Sequence, residues 1–232
     1  MATKDIHASI NTRMQMSATL SGEQVRTGRK VVADKFYGRV CAWAANPTVS
    51  DPKLQEDFLS SLAGVPTIAL DKRSCYRGRH SLETDNPHRL DFGPPPTDAP
   101  RANRYNAEGR KVLYLCDSLQ GVARELEDEE DVWAQEYSLP QDLRIANFRV
   151  DDENDLLSKV FWITENAEEE ENGYPYRFGQ YIAELVASQF DGMAVPGVRG
   201  DQSKRYFNII VLRNIYEWMN WVPSGSSPVR IR

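Results

Sequence analysis

The chain has 232 residues and a formal net charge of −6 at pH 7, with 28 Lys and Arg against 34 Asp and Glu. Hydrophobic residues make up 41% and aromatic residues 10%, which is typical of a folded globular protein and argues against disorder throughout the chain. An acidic surface repels phosphate backbones, so no nucleic-acid partner is expected.

Cysteine and histidine usage excludes further classes of protein. Cys41, Cys75 and Cys116 form no CxxC pair, and their odd number argues against a complete disulfide framework. The three histidines show no metal-ligand spacing, so no metal is expected. The start of the sequence lacks the apolar run of a signal peptide, and no segment has the length of a membrane span. We therefore expect a cytoplasmic protein with no membrane partner.

The first quarter of the chain has helical periodicity. Residues 18 to 62 mix polar and apolar positions at helical spacing, which predicts two helices, with Ser50 or Asp51 available to cap the second. No chemistry is visible in this stretch. We interpret residues 1–65 as an N-terminal helical extension and residues 66–232 as a catalytic domain, on which the apolar face of the extension is expected to pack.

The rest of the chain alternates strand-like and helical segments. Ser118 is predicted to cap a helix that carries Glu125 in its second turn. A long loop contains the run Gly93-Pro-Pro-Pro96, which cannot continue a helix or a central strand. A later helix is predicted from Arg177 to Ser188. The predicted strands are Thr67–Leu70, Val112–Cys116, Leu143–Val150, Asp191–Val195 and Phe207–Leu212.

Short motifs follow one another in a characteristic order between residues 70 and 213. They are Tyr76-Arg77, Gly93-Pro-Pro-Pro96, Arg104-Tyr-Asn-Ala-Glu-Gly109, Val112-Leu-Tyr-Leu115, Glu125, and Asp191-Gly192 before Asn208. In order and spacing they resemble the RES domain of bacterial toxins and related NAD-degrading proteins. The resemblance leaves the N-terminal extension unmatched. It implies an α+β domain whose fold resembles that of ADP-ribosyltransferases.

The resemblance also implies a pocket and its residues. Arg77 and Glu125 match the positions expected to be catalytic. Arg79 competes with Arg77 for its role, and Arg101 or Arg110 could replace Arg104 in a shifted alignment. Each of two residues also has a purely structural interpretation. Glu125 could be a solvated residue on a helix surface and not catalytic, and Tyr114 could be a core residue that does not contact substrate. The residues expected to bind substrate are Arg104, Tyr105, Tyr114, Ser203 and Asn208.

Cleavage of the bond between nicotinamide and ribose requires these residue types. The reaction develops positive charge on the ribose, which the carboxylate of Glu125 would stabilise. The planar guanidinium groups of Arg77 and Arg104 suit a pyrophosphate, because each presents paired donors. The aromatic ring of Tyr105 or Tyr114 could stack on nicotinamide or adenine. NAD+ is therefore expected as substrate.

One position departs from the family pattern. Members commonly carry a serine in a Tyr-Pro-Ser arrangement after the Asp-Gly strand, whereas this chain reads Val195-Pro-Gly197. Ser203, six residues further on, could supply a hydroxyl to the same space, although a solvated turn is the simpler interpretation of its loop. The missing serine leaves the acceptor of the ADP-ribose group open.

The resemblance implies an NAD+-consuming toxin or effector, acting as an NAD+ phosphorylase or glycohydrolase. Such an activity harms its own cell, which implies an antitoxin or immunity protein as partner. A mono-ADP-ribosyltransferase with a protein target is the alternative within enzymes. A catalytically weak nucleotide-binding module is the alternative from another class, and the missing serine motivates it.

Overall fold

The computed structural model describes residues 35–49, 51–70, 74–80, 82, 86–95, 102–127, 129–149, 156–165, 174–197 and 206–231. The α-helices in these ranges are α1 (Lys35–Ala45), α2 (Pro52–Leu62), α3 (Leu119–Glu125), α4 (Leu156–Glu165) and α5 (Tyr174–Ala187). The strands are β1 (Ser74–Arg79), β2 (Leu113–Cys116), β3 (Trp133–Ser138), β4 (Ile145–Asn147), β5 (Gly192–Pro196), β6 (Phe207–Val211) and β7 (Val229–Arg230). Short 3-10 helices span Arg89–Phe92 and Ile215–Trp221.

This combination of a mainly antiparallel sheet with helices confirms the predicted α+β class. The expected likeness to ADP-ribosyltransferases stays a prediction. None of the helices in the described ranges is long and apolar enough to cross a membrane. All three cysteines are free and buried.

The contacts between Cα atoms divide the chain into two compact units. The helical unit comprises Met1–Gly64, Asn103–Tyr105 and Val150–Leu185. The sheet unit comprises Val65–Ala102, Asn106–Arg149 and Val186–Arg232. The division into an extension of residues 1–65 and a catalytic domain of residues 66–232 stays a prediction.

In the helical unit, α1 and α2 confirm the two helices predicted before residue 62. Asp51 caps α2, because its Oδ1 accepts a hydrogen bond of 2.9 Å from the Leu54 main-chain nitrogen. The capping carboxylate also pairs with Arg39 at 2.8 Å. The buried residues of α2 recur every four positions, as its periodicity predicts, and they are Leu54, Phe58 and Leu62.

The N-terminal helices pack on α4 and α5 within this unit. The fully buried ring of Trp43 lies edge-on to the ring of Phe178 in α5, with 5.4 Å between the ring centroids. Gln55 of α2 donates a hydrogen bond to the hydroxyl of Tyr181 in α5. The ammonium group of Lys159 in α4 lies 4.9 Å from the centroid of the Phe36 ring in α1. The apolar face of the two helices is thereby covered.

Among the described residues, seven strands form the sheet of the other unit, in the order β4-β5-β6-β2-β1-β3-β7. The β4–β5 pair is parallel and every other pair is antiparallel. The central pair, β1 and β2, is joined at one register position, Tyr76 opposite Cys116. Cys116 in turn lies opposite Asn208 of β6. These three residues therefore share one face of the sheet.

Helix α3 covers that face. It approaches β1 so closely at Gly78 that a Cβ atom there would lie 2.4 Å from Cγ1 of Val122. Since alternate residues of a strand point to opposite faces, Arg77 and Arg79 start from the other face. That second face carries the larger apolar cluster, which includes Leu115 and Tyr137. The alternation of β1 therefore places two arginines beside an apolar core.

Some predicted elements differ from the structure. Thr67–Leu70 is not a strand, because Thr67 forms only an isolated bridge to Ala146. The strand predicted at Leu143–Val150 is shorter, since β4 covers three residues and Val150 lies outside the described residues. Strands β1 and β3 were not predicted. Arg77 in β1 and Gln135 in β3 are buried polar residues. They occupy inward-facing positions where apolar residues would have produced the alternating pattern that predicts a strand.

Candidate active site

Glu125 is the last residue of α3, a helix that starts as predicted. The Oγ atom of Ser118 accepts a hydrogen bond of 3.1 Å from the Gly121 main-chain nitrogen and caps the helix. Gly121 and Val122 are buried against the sheet. The seven residues of α3 then carry Glu125 to β6. A capped helix on a buried face thus sets the position of this carboxylate.

Two side chains hold the Glu125 carboxylate through the same oxygen. The hydroxyl of Tyr206 donates to Oε1 at 2.5 Å, and Nδ2 of Asn208 donates to Oε1 at 2.7 Å. Among the described residues, none donates a hydrogen bond to Oε2. The half-buried carboxylate is therefore anchored on one side and open on the other, unlike that of a solvated surface glutamate.

Cys116 orients the amide of Asn208. Its thiol donates to Oδ1 of Asn208 at 2.9 Å, which turns Nδ2 toward Glu125. Burial raises the pKa of the Cys116 thiol well above its usual value, and the nearby charges of Glu125 and Asp117 raise it further. The thiol accordingly stays protonated and remains a donor. Asn208 contacts the expected catalytic carboxylate, and its expected contact with substrate stays a prediction.

Arg77 is a buried cation without a carboxylate partner in the described part of the chain. It is 6% exposed, and its one hydrogen bond runs from Nη1 to the main-chain carbonyl of Tyr114 at 3.1 Å. Its Nε atom is buried without a partner. Burial and, to a smaller extent, the neighbouring charge of Arg79 lower the pKa of Arg77 to about 9. The site therefore holds positive charge that the described residues do not neutralise.

Arg79 repeats this arrangement two residues along β1. Its Nη2 donates to the carbonyl of Gly93 at 3.0 Å, while its buried Nε has no partner. Burial lowers the pKa of Arg79, against smaller raising effects of Tyr137 and Asp91. A buried Arg77 and a half-buried Arg79, neither paired with a carboxylate within the described residues, favour an anionic ligand, because burying an unpaired charge is costly. Arg79, considered only as a competitor of Arg77, is thus its neighbour on the same face of β1.

Tyr114 lies in β2, as predicted, but it is more than a core residue. Its half-buried ring carries a hydroxyl that donates to Oδ1 of Asn106 at 3.0 Å, and Asn106 is 4% exposed. The main-chain carbonyl of Tyr114 receives Arg77. Tyr114 therefore connects Arg77 with Asn106, which precedes β2 in the chain.

The structure does not join Arg77 to Glu125. Arg77 and the Tyr76–Cys116–Asn208 row start from opposite faces of the sheet, and no hydrogen bond or ion pair links Arg77 with Glu125 in the described part of the chain. Among the described residues, the carboxylate and the arginines are thus not in direct contact. Within the described residues, no group of three His, Cys, Asp or Glu side chains is arranged to hold a metal ion.

Two expected substrate residues belong to the helical unit. The guanidinium carbon of Arg104 lies 6.0 Å from the centroid of the Tyr176 ring. Helix α5 passes close to Arg104, since a Cβ atom at Gly179 would lie 2.3 Å from the Arg104 carbonyl oxygen. Tyr105 is 4% exposed. Substrate contacts of Arg104 and Tyr105 stay predictions, and Ser203 and Arg101 lie outside the described residues.

Tyr206 is the site residue that the sequence reasoning missed. Its ring fills the space beside Gly197, where a Cβ atom would lie 2.2 Å from ring atom Cε2. Gly197 also donates from its main-chain nitrogen to the Tyr206 carbonyl at 2.9 Å. The position where the family commonly has serine thus has no room for a side chain. Strand alternation could have identified Tyr206, because residues two apart in a strand point to the same face and Asn208 was already an expected site residue.

Comparison with known families agrees with these elements. The family model of the RES domain matches residues 75–217, which include β2 through β6, all of β1 except Ser74, and every described residue of the site. A comparison with curated proteins finds no match. Because the family model covers more than half of the chain, this protein belongs to the RES domain family.

Proposed function

We propose that this protein cleaves NAD+ at the bond between nicotinamide and ribose. The observation that carries the proposal is the carboxylate of Glu125, which two neutral donors hold by Oε1 while Oε2 stays open. Membership of the RES family is consistent with an NAD-related module.

The carboxylate has the chemistry that the reaction needs. Loss of nicotinamide leaves an oxocarbenium-like ribose, and a fixed negative charge stabilises that cation without having to reorganise. Glu125 meets this requirement because Tyr206 and Asn208 hold it in place. In the proposed complex, Oε2 accepts a hydrogen bond from a ribose hydroxyl while the negative charge faces the reacting carbon.

The two arginines of β1 supply the second requirement. NAD+ carries two negative charges on its pyrophosphate, and Arg77 and Arg79 are cations without carboxylate partners among the described residues. A bound pyrophosphate would neutralise their charge, and its oxygens would accept hydrogen bonds from the N–H groups that lack a partner among the described residues. We assign the contact to Arg77, with Arg79 beside it.

An activity of this kind consumes the NAD+ of the cell that makes the protein. We therefore propose that the protein is a toxin or effector whose partner is an antitoxin or immunity protein that blocks the site. Phosphate or water is the proposed acceptor of the ADP-ribose group, which corresponds to a phosphorylase or a glycohydrolase.

The test is the release of nicotinamide by the purified full-length chain. Wild type and Glu125→Gln are incubated with NAD+, with and without phosphate, and the products are separated by chromatography. Release by wild type but not by the variant is expected. ADP-ribose 1-phosphate as product identifies a phosphorylase and free ADP-ribose a glycohydrolase, whereas intact NAD+ in every wild-type reaction contradicts the proposal.

Gly197 favours one rival function. A binding module without turnover would explain why the position of the family serine is filled by the ring of Tyr206. Such a module binds NAD+ or ADP-ribose in calorimetry and releases no nicotinamide. A mono-ADP-ribosyltransferase would instead release nicotinamide only in step with the labelling of a protein, which mass spectrometry of an incubated lysate detects.

A further inference from the structure

Tyr206 occupies a space that two glycines leave open. Its side chain is buried, with the residue 6% exposed, and its ring packs against Gly121 of α3 and Gly197 after β5. A Cβ atom at Gly121 would come within 2.9 Å of ring atom Cδ2, and one at Gly197 within 2.2 Å of Cε2. The ring is therefore held by close packing against both glycines.

A fixed ring gives its hydroxyl a fixed direction. That hydroxyl donates to Oε1 of Glu125 at 2.5 Å, at the short end of the range for a hydrogen bond to a charged oxygen. Asn208 donates to the same oxygen and is itself held by the thiol of Cys116. The chain of contacts from Cys116 to Glu125 leaves the carboxylate little freedom to rotate.

We infer that Tyr206 is a positioning residue for Glu125, an inference that rests on the proposed function. Tyr206 acts through Oε1 and leaves Oε2 as the oxygen that meets the ribose. Glu125 therefore engages the ligand with one oxygen. Tyr206 contributes to the rate and not to the affinity for NAD+, because it contacts the carboxylate and not the ligand.

The decisive variant is Tyr206→Phe, which keeps the packed ring and removes only the hydroxyl. A hydrogen bond to a charged group corresponds to about a 10- to 100-fold change in rate. We expect kcat for nicotinamide release to fall by that factor while KM changes less than about twofold. Tyr181→Phe is the matched control, because it removes a hydroxyl bonded to Gln55, and it should keep the wild-type kcat.

Dependence on Glu125 separates positioning from a general structural effect. In the Glu125→Gln background, Tyr206→Phe should have a much smaller effect on kcat than in wild type, because the bond that it removes has already been weakened. A wild-type kcat in Tyr206→Phe, or equal losses in both backgrounds, overturns the inference.

A second readout does not depend on turnover. Wild type, Tyr206→Phe, Glu125→Gln and the double variant are unfolded in urea. If the two side chains interact, the shift in urea midpoint of the double variant differs from the sum of the two single shifts. If wild type releases no nicotinamide, the proposed function fails, while coupled midpoint shifts still support the hold of Tyr206 on Glu125. Additive midpoint shifts contradict that hold, whether or not NAD+ is cleaved.

Discussion

Arg77 of β1 donates a hydrogen bond from Nη1 to the main-chain carbonyl of Tyr114 in β2. This bond lies next to the single register position that pairs the two strands, Tyr76 opposite Cys116. The guanidinium group thus lies between the two central strands of the sheet. One carbonyl satisfies only one of its five N–H groups, and the remaining donors have no hydrogen-bond partner among the described residues.

Arg77→Met tests whether this cation binds ligand or only supports the strands. The substitution keeps most of the side-chain volume and removes the buried charge, a relief that offsets the lost hydrogen bond to Tyr114. We expect the free energy of unfolding to stay within about 1 kcal/mol of wild type and the affinity for ADP-ribose to fall about 10- to 100-fold. Urea unfolding and calorimetry measure the two quantities. A large loss of stability with unchanged affinity would make Arg77 structural.

Ligand binding should weaken in alkaline solution. Burial lowers the pKa of Arg77 to about 9, so the guanidinium is charged below this pH and loses its proton as the pH rises through it. The affinity for ADP-ribose is therefore expected to be full at pH 7 to 8 and to fall toward pH 10. Calorimetry across this range should show a steeper fall for wild type than for Arg77→Met, and parallel curves would rule out titration of Arg77.

Glu125→Gln should remove turnover while preserving the fold. The amide keeps an oxygen that accepts from Tyr206 and Asn208, but it lacks the charge that stabilises the ribose cation. We expect kcat to fall by about 10²- to 10³-fold with little change in the affinity for ADP-ribose. Rapid-quench measurement of nicotinamide determines kcat, and wild-type turnover in the folded variant would remove Glu125 from the mechanism.

Gly197→Ala should displace the ring of Tyr206. The new Cβ atom would lie 2.2 Å from Cε2, so the ring must move and its hydroxyl leaves Glu125. Overpacking of this kind costs about 1 to 3 kcal/mol, and turnover should fall with it. Gly38→Ala is the control, because nothing lies within 4 Å of a Cβ atom there and a helical alanine is favourable. Equal thermal midpoints for the two variants would show that the ring yields without cost.

Trp43→Ala tests the packing of the N-terminal helices. Trp43 is fully buried among Phe58, Phe178 and Tyr181, and its loss leaves a cavity between α1 and α5. A buried tryptophan replaced by alanine costs about 3 to 5 kcal/mol. Helix α5 belongs to the family-matched residues, so we expect the variant to lose stability and activity together. The thermal midpoint of unfolding and the temperature at which nicotinamide release stops should both fall. Unchanged activity at temperatures that melt the helices would show that they are dispensable.

The sequence alone determined the elements whose patterns are local. Helix α2 followed from its four-residue spacing and its Asp51 cap, and α3 followed from Ser118 and the buried positions after it. The order of the motifs indicated the RES family and marked Arg77, Tyr114 and Glu125. These features depend on neighbours within a few residues, so their physical causes can be seen in the sequence.

Only the tertiary structure decided what those residues contact. Strand β1 was invisible because Arg77 and Arg79 occupy positions where apolar residues would mark a strand, and the pairing with β2 and β3 supplies its hydrogen bonds instead. The bond from Tyr206 to Glu125 joins residues 81 positions apart. In the sequence, Gly197 only marks the absence of the family serine. In the structure, the ring of Tyr206 occupies the space that a side chain at position 197 would need. Such contacts depend on packing between distant segments, which no local pattern encodes.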